Sequence, residues 1–146
     1  MHKPLWTARQ AMAATGGMLT GDLDWTCSGL SIDTRSILPG DLFVALKDVR
    51  DGHEFITDAM ARGAAACLVT DTSNCPGPAL QVKDTLRALR ALGEAARDRS
   101  NAVRIAVTGS VGKTSVKEAL AAVLRAAGPA HWSVKSYNNH WGVPLT

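Results

Sequence analysis

At 146 residues, with 46% hydrophobic and 20% charged residues, the chain has the length of one ordinary domain or two small ones and enough apolar side chains to bury a core. That balance points away from a large multidomain enzyme and from a disordered chain. The 16 Lys and Arg against 13 Asp and Glu give a net charge of +3 and are scattered, no apolar run reaches the roughly 18–20 residues that cross a bilayer, and MHKPLWTARQ leads into no signal core, so the expectation is a cytoplasmic protein with no nucleic-acid partner and no membrane insertion.

In chain order, Leu5 to Ala14 carries apolar residues at helical spacing before Gly16-Gly17 stops it. GLSIDT and DLFVAL follow as short β-type runs separated by RSILPG, whose Pro39-Gly40 is a turn signal, and they are expected to be neighbouring strands. His53 to Arg62 places Phe55, Ile56, Ala59 and Met60 on one helical face and ends at Gly63, after which AACLVT has the character of a buried strand. NCPGP is a loop, ALQV a further strand, and Asp84 is placed to cap a helix reaching about Arg99. In that helix Leu86, Leu89, Leu92, Ala95 and Ala96 form the apolar stripe, and Arg87, Arg90, Arg97 and Arg99 are expected to face solvent. VRIAVT is expected as a strand running into GSVGKTS, Lys113 to Ala127 as a helix with Val116, Leu120, Val123, Leu124 and Ala127 on one face, HWSV as a second strand, and YNNHWGVPLT as a polar loop. Residues 103–134 would then form a βαβ crossover, and the boundary between two units falls between Val82 and Val103. The three cysteines, Cys27, Cys67 and Cys75, have no C-x-x-C spacing and no histidine at zinc-ligand distance, which makes them ordinary reduced thiols.

The chemistry concentrates in TGSVGKTS, where a strand ends, a glycine-bounded turn follows and Lys-Thr opens a helix. Glycines let main-chain N–H groups turn toward phosphate oxygens, the helix N-terminus adds positive potential, Lys113 can reach the β and γ phosphates, and the Thr114 hydroxyl can ligate Mg²⁺. Only Ser110 and Val111 separate Gly109 from Gly112, so this is a shortened form of the general phosphate loop. Two other groups fall near expected strand ends: Asp33, Arg35, Asp51 and His53, and the pair Asn138-Asn139 after Tyr137. Asp33-Thr34-Arg35 is equally well a turn with a surface ion pair, and adjacent asparagines are common turn formers.

Taken together, SIDTRSILPGDLFVAL, DGHEF, ARGAAACLV, VTGSVGKTSVKEAL and YNNHWGVPLT resemble the Mur ligases, in the order that family shows them, and the shortened phosphate loop is the form this family uses. GSVGKTSVKE and YNNHWGVPLT are similar to the members that add the terminal dipeptide, whereas those adding the third amino acid usually show G-T-N-G-K-T-T and a Thr-Thr pair. KDVRDGH departs from the family, which often has a glycine after the lysine and a slightly longer loop.

The resemblance implies an α/β fold: a small N-terminal UDP-substrate-binding domain over residues 1–83, a linker helix over 84–102, and over 103–146 the start of a P-loop-type, parallel-sheet ATPase domain. The stretch from Asn101 to Thr146 is well short of the roughly 100 residues of a nucleotide-binding domain, so the chain is expected to be an N-terminal fragment, inactive alone, of an enzyme that works as a monomer. The activity implied is ATP-dependent addition of D-alanyl-D-alanine to UDP-N-acetylmuramoyl-tripeptide in cytoplasmic peptidoglycan precursor synthesis, through an acyl phosphate. By position, Ser31, Asp33, Thr34 and Arg35, with Asp51, Gly52 and His53, would lie at the UDP-substrate site, and Asn138 and Asn139 would face the muramyl substrate. Gly109, Ser110, Val111, Gly112, Lys113, Thr114 and Ser115 would hold ATP, with Thr114 on Mg²⁺ and Lys113 stabilising the transferring phosphoryl group. The alternatives are the related ligase for the third amino acid, a non-catalytic UDP-sugar-binding unit, and a P-loop phosphotransferase or GTPase.

Overall fold

The computed structural model describes residues 4–48, 50–133 and 142–145. In chain order these form β1 (Trp6–Thr7), α1 (Ala8–Thr15), β2 (Met18–Thr20), β3 (Thr26–Cys27), β4 (Gly29–Ser31), β5 (Asp41–Val44), a 3-10 turn (Gly52–Phe55), α2 (Ile56–Ala61), β6 (Ala66–Val69), β7 (Ala79–Gln81), α3 (Thr85–Asp98), α4 (Lys113–Ala127) and α5 (Gly142–Leu145). The first helix starts later than its periodicity suggests. Leu5 and Trp6 are taken up by pairing with Cys27, and Thr7 becomes the N-cap, its hydroxyl accepting from the Gln10 N–H while the Gln10 side chain accepts from the Thr7 N–H.

A five-stranded sheet of order β2-β7-β6-β5-β4 organises the fold, with β4 to β7 parallel and β2 antiparallel at one edge. All four residues of β5 and of β6 are buried, as a parallel sheet covered on both faces requires. The two-residue period of a strand then divides them. Leu42, Val44, Ala66, Leu68 and Leu80 point to one face, where Ala8 and Ala11 of α1 and Ala88, Leu89 and Leu92 of α3 cover them. Phe43, Ala45, Cys67, Val69 and Ala79 point to the other, under Ile56 and Ala59 of α2 and under Ile37 from the loop that joins β4 to β5. Leu89 and Leu92 are fully buried and contribute about 1.5–3 kcal/mol each. The helix within the expected linker stretch thus also covers this sheet. Asp84 caps it as expected, accepting from the Arg87 N–H at 2.9 Å. Arg99 is exposed as expected, and from the surface it lies over the Trp6 ring, 3.7 Å from its centroid, and donates to the Leu5 carbonyl.

The sequence pattern departs most from the structure beyond Asn101. VRIAVT is extended coil, with Val103 90% and Ile105 54% exposed, and among the described residues nothing pairs with it. A β-type run becomes a strand only against a neighbour, and the edges of the sheet are already β2 and β4. His131 to Ser133 are likewise coil, so among the described residues the expected crossover is not formed; Val134 lies outside them. Helix α4 has the expected bounds, but Val116, Val123 and Leu124 on its apolar face are exposed and only Ala121 is buried. Within YNNHWGVPLT, Gly142–Leu145 is a helical turn packed against α3, Pro144 meeting Gly93, rather than polar loop.

Candidate functional site

Because β4, β5 and β6 run parallel and in register, Ser31 opposite Phe43 and Val44 opposite Leu68, their carboxyl ends open on one rim. Loops on that rim are where open parallel sheets bind ligands. Ser31 ends β4, and the loop after it carries Asp33, Thr34 and Arg35; the loop after β5 carries Lys47, Asp51, Gly52 and His53; Thr70 and Asp71 follow β6. The sequence-expected UDP-site residues are thus brought to one edge of the sheet.

The first loop is fixed from within. The buried Ser31 hydroxyl donates to the Asp33 carbonyl at 3.0 Å and accepts from the Asp33 N–H, and Asp33 Oδ1 accepts from the Arg35 N–H at 2.9 Å. Thr34 is buried and holds the Asp58 carboxylate of α2, which Arg62 and then Thr34 keep below the ordinary carboxylate range. Arg35 makes a bidentate pair with Asp33, Nε to Oδ1 at 2.9 Å and Nη2 to Oδ2 at 2.6 Å, while 87% of its side chain stays exposed. The turn with a surface ion pair is therefore the arrangement seen. A phosphate would have to take the other edge of the guanidinium or displace Asp33.

The second loop closes on β6. Gly52 lies flat against the segment leaving β5: its N–H donates to the Leu46 carbonyl at 2.8 Å, and a Cβ there would stand 2.8 Å from Leu46 N. Asp51 Oδ1 accepts from the His53 N–H at 3.0 Å and lies 2.6 Å from His53 Nδ1, and Lys47 Nζ is 3.5 Å from Asp51 Oδ2. His53 Nε2 accepts from the Thr70 N–H at 2.9 Å. These residues, with Ile56, Asp71 and Asn74, line a cleft of about 130 Å³. The His53 main-chain N–H holds the Asp51 carboxyl below its usual range, and the Ser73 hydroxyl does the same for Asp71. Two carboxylates and one ammonium therefore meet at its mouth, an arrangement that offers acceptors to hydroxyl or imide N–H donors. Thr70 and Asp71 are not singled out by the sequence, and Lys47 only as the start of the loop that departs from the family; the available signal is a threonine closing a buried strand at its carboxyl end. A wider and more open depression of about 430 Å³, between Thr20–Asp22 and Thr72–Pro78, holds none of the expected residues and sits by the amino end of β7, away from the rim.

In the phosphate loop, Gly112 has φ +80, a conformation that favours glycine, and serves as N-cap of α4 with no side-chain cap. Nothing lies within 4 Å of where its Cβ would be, and Ser110, Val111, Thr114 and Ser115 are exposed. The first turn of α4 thus presents its N–H groups outward in an open cradle that fits an anion. Lys113 Nζ donates to the Gly109 carbonyl at 2.5 Å, folded back over the loop where a phosphate would sit. Thr114 is at the same helix end, and among the described residues no group of three or more His, Cys, Asp or Glu could hold a metal. Asn138 and Asn139 lie outside the described residues.

Residues 107–146 match the Mur ligase middle domain. The UDP-N-acetylmuramoyl-tripeptide–D-alanyl-D-alanine ligase of Escherichia coli K12 is 44% identical over 133 residues, 88% of this chain and 29% of that protein. The enzyme of the same name from Bacillus subtilis is 40% identical over 124 residues, 81% and 27% of the two chains. Among solved structures, MurF from Acinetobacter baumannii superposes with a TM-score of 0.82 at 35% identity, covering 98% of this chain and 32% of that one. MurF from Thermotoga maritima in complex with ADP does so with a TM-score of 0.63 at 30% identity, over 80% and 28%. The chain spans about three tenths of the length of the curated relatives it matches.

Proposed function

We propose that this chain, which belongs to the Mur ligase family, supplies the UDP-substrate and phosphate-loop parts of an ATP-dependent ligase that joins D-alanyl-D-alanine to UDP-N-acetylmuramoyl-tripeptide. The observation that carries the reading is the 44% identity to a ligase of that name, running over 133 residues and so through the rim loops as well as the phosphate loop. In this reading residues 1–83 bind the UDP substrate, 84–102 lead across, and 103–146 begin the ATP-binding domain.

The chemistry asked of the chain is mainly positioning. The rim would hold the nucleotide-sugar end, with Asp51 and the cleft offering acceptors to uridine or sugar donors, and Arg35 meeting phosphate through the guanidinium edge that Asp33 leaves. The N–H groups of Gly112 to Ser115 would take the ATP phosphates, and Lys113 would exchange the Gly109 carbonyl for the oxygens of the transferring group. When bound, Mg²⁺ would neutralise phosphate charge, with Thr114 as its ligand from this chain. The tripeptide carboxylate would leave that step as an acyl phosphate, with ADP released, and the dipeptide amine would then attack its carbonyl carbon, forming the amide as inorganic phosphate and a proton depart.

Product analysis on the full-length protein tests the reading: UDP-N-acetylmuramoyl-tripeptide, D-alanyl-D-alanine and ATP should give the pentapeptide product with one ADP per bond. Addition of a single amino acid to a dipeptide substrate would select the related ligase instead. Lys113→Ala should lower the rate on the order of 10²-fold or more while UDP-substrate binding persists, and near-normal turnover would overturn the phosphate-loop assignment.

A further inference from the structure

His53 has both ring nitrogens engaged, and the identity of one partner decides its protonation. A main-chain N–H can only donate, so Nε2, which receives the Thr70 N–H at 2.9 Å, carries no proton. The Thr70 hydroxyl lies 3.0 Å from the same nitrogen. The single proton of the neutral ring is then on Nδ1, where Asp51 Oδ1 at 2.6 Å requires a donor. With the side chain only 16% exposed, the ring has no remaining polar atom to offer a ligand.

We propose that His53 is a positioning residue of the UDP-substrate site and not a contact to the substrate: as the neutral Nδ1–H tautomer it ties the Asp51 turn to the end of β6 and so holds the mouth of the cleft in its ligand-receiving form. The proposal rests on the reading of this rim as the UDP-substrate site. Three connections converge on that turn. Asp51 bridges back to Lys47, Gly52 bonds the Leu46 carbonyl, and His53 bonds Thr70. Only the last spans from the loop after β5 to the residue after β6, and only it depends on a proton.

When the ring takes a second proton, Nε2–H faces the Thr70 N–H, donor against donor, so the main-chain bond is lost and only the Thr70 hydroxyl, 3.0 Å away, is left to accept from the ring. The charged groups around the ring are Asp51 in its own turn, Lys47 from the loop after β5, 3.5 Å from Asp51, and Asp71 beyond β6. Protonation of the ring should therefore loosen the cleft by removing its main-chain bond to Thr70.

NMR of the chain and titration with UDP test this directly. At pH 8, long-range proton–nitrogen correlations should show His53 protonated on Nδ1, and the Thr70 amide should shift together with the ring as pH is lowered to 5.5. UDP affinity should fall over that range on the order of fivefold, the equivalent of one hydrogen bond. His53→Gln, whose amide oxygen can accept from Thr70 without titrating, should keep most of the pH 8 affinity and lose less of it on acidification; the titration of the UDP phosphate is common to both proteins. A proton on Nε2 at pH 8, or a Thr70 amide indifferent to the ring, would overturn the proposal. So would binding that weakens alike in wild type and His53→Gln. No UDP binding by the wild type at pH 8 would overturn the reading of the site itself, and this proposal with it.

Discussion

Gly52→Ala isolates one close approach on which the rim depends. A Cβ at this position would stand 2.8 Å from both Leu46 N and Leu46 O and 2.9 Å from Ala45 C, where ordinary contact is 3.4–4 Å. All three are backbone atoms of the segment leaving β5, so no side-chain rotation relieves them and the turn must back away by about half an ångström or more. Such overpacking costs about 1–3 kcal/mol. Against it stands the lower entropy of the unfolded alanine chain, about 0.4–1 kcal/mol, which applies because Gly52 does not hold a positive φ. From the middle of the two ranges the net loss should be on the order of 1 kcal/mol. Urea unfolding measures it as a lower midpoint at unchanged slope. The same displacement stretches the Gly52–Leu46 and His53–Thr70 bonds, so UDP affinity should fall with stability. A variant as stable as the wild type, or more stable by the entropic amount, would refute the packing of this turn on the strand.

Cys27 is 1% exposed, and burial pushes its thiol up from 9.0 to about 11. The folded state therefore holds that proton more tightly, a contribution present below pH 9 and lost between pH 9 and 11, amounting to about 2–3 kcal/mol. Denaturant unfolding at pH 8.5 and 11 should show a smaller alkaline loss in Cys27→Ala; parallel losses would refute the linkage. Arg35→Ala should raise the KM for the UDP substrate several-fold in the full-length protein with little change in ATP affinity, as steady-state kinetics would read, and equal loss of both would argue against separate sites.

What the sequence made legible follows how locally each element is determined. DLFVAL and AACLVT are short β-type runs bounded by turn signals, and both are fully buried strands; Asp84 before a periodic stretch is a cap, and Lys113 to Ala127 is a helix with the bounds its period sets. β1 and β3 are two residues each and β2 three, too short to show a period, and they exist through pairing with distant segments. VRIAVT shows the converse: a strand pattern without a partner remains coil. In the rim, Asp33 and Arg35 are legible as a motif, but their mutual ion pair could only be offered as one of two readings. Thr70 was missed because its role comes from register, which places the end of β6 beside the His53 turn, and register is not written in either segment alone.

Hydrogen exchange should separate the two candidate sites by how their elements are supported. The amides of β5 and β6 sit between neighbours on both sides, with Leu42, Phe43, Val44, Cys67, Leu68 and Val69 all at 1% exposure or less, so they open only with the whole sheet. Helix α4 has 15 residues, the length at which an isolated helix is marginal in water, and its apolar positions Val116 and Val123 are 48% and 68% exposed. Its stability must come largely from propensity, and the coil at 103–108 adds no sheet beneath it. Amides of α4 and of 103–108 should therefore exchange by local opening, orders of magnitude faster than those of β5 and β6. Lowering temperature or adding magnesium-ATP should slow α4 first, because the phosphate cradle is its own first turn. Equal, strong protection in β5, β6 and α4 of the monomeric chain would refute this division and require that the stripe from Val116 to Leu124 be buried in solution.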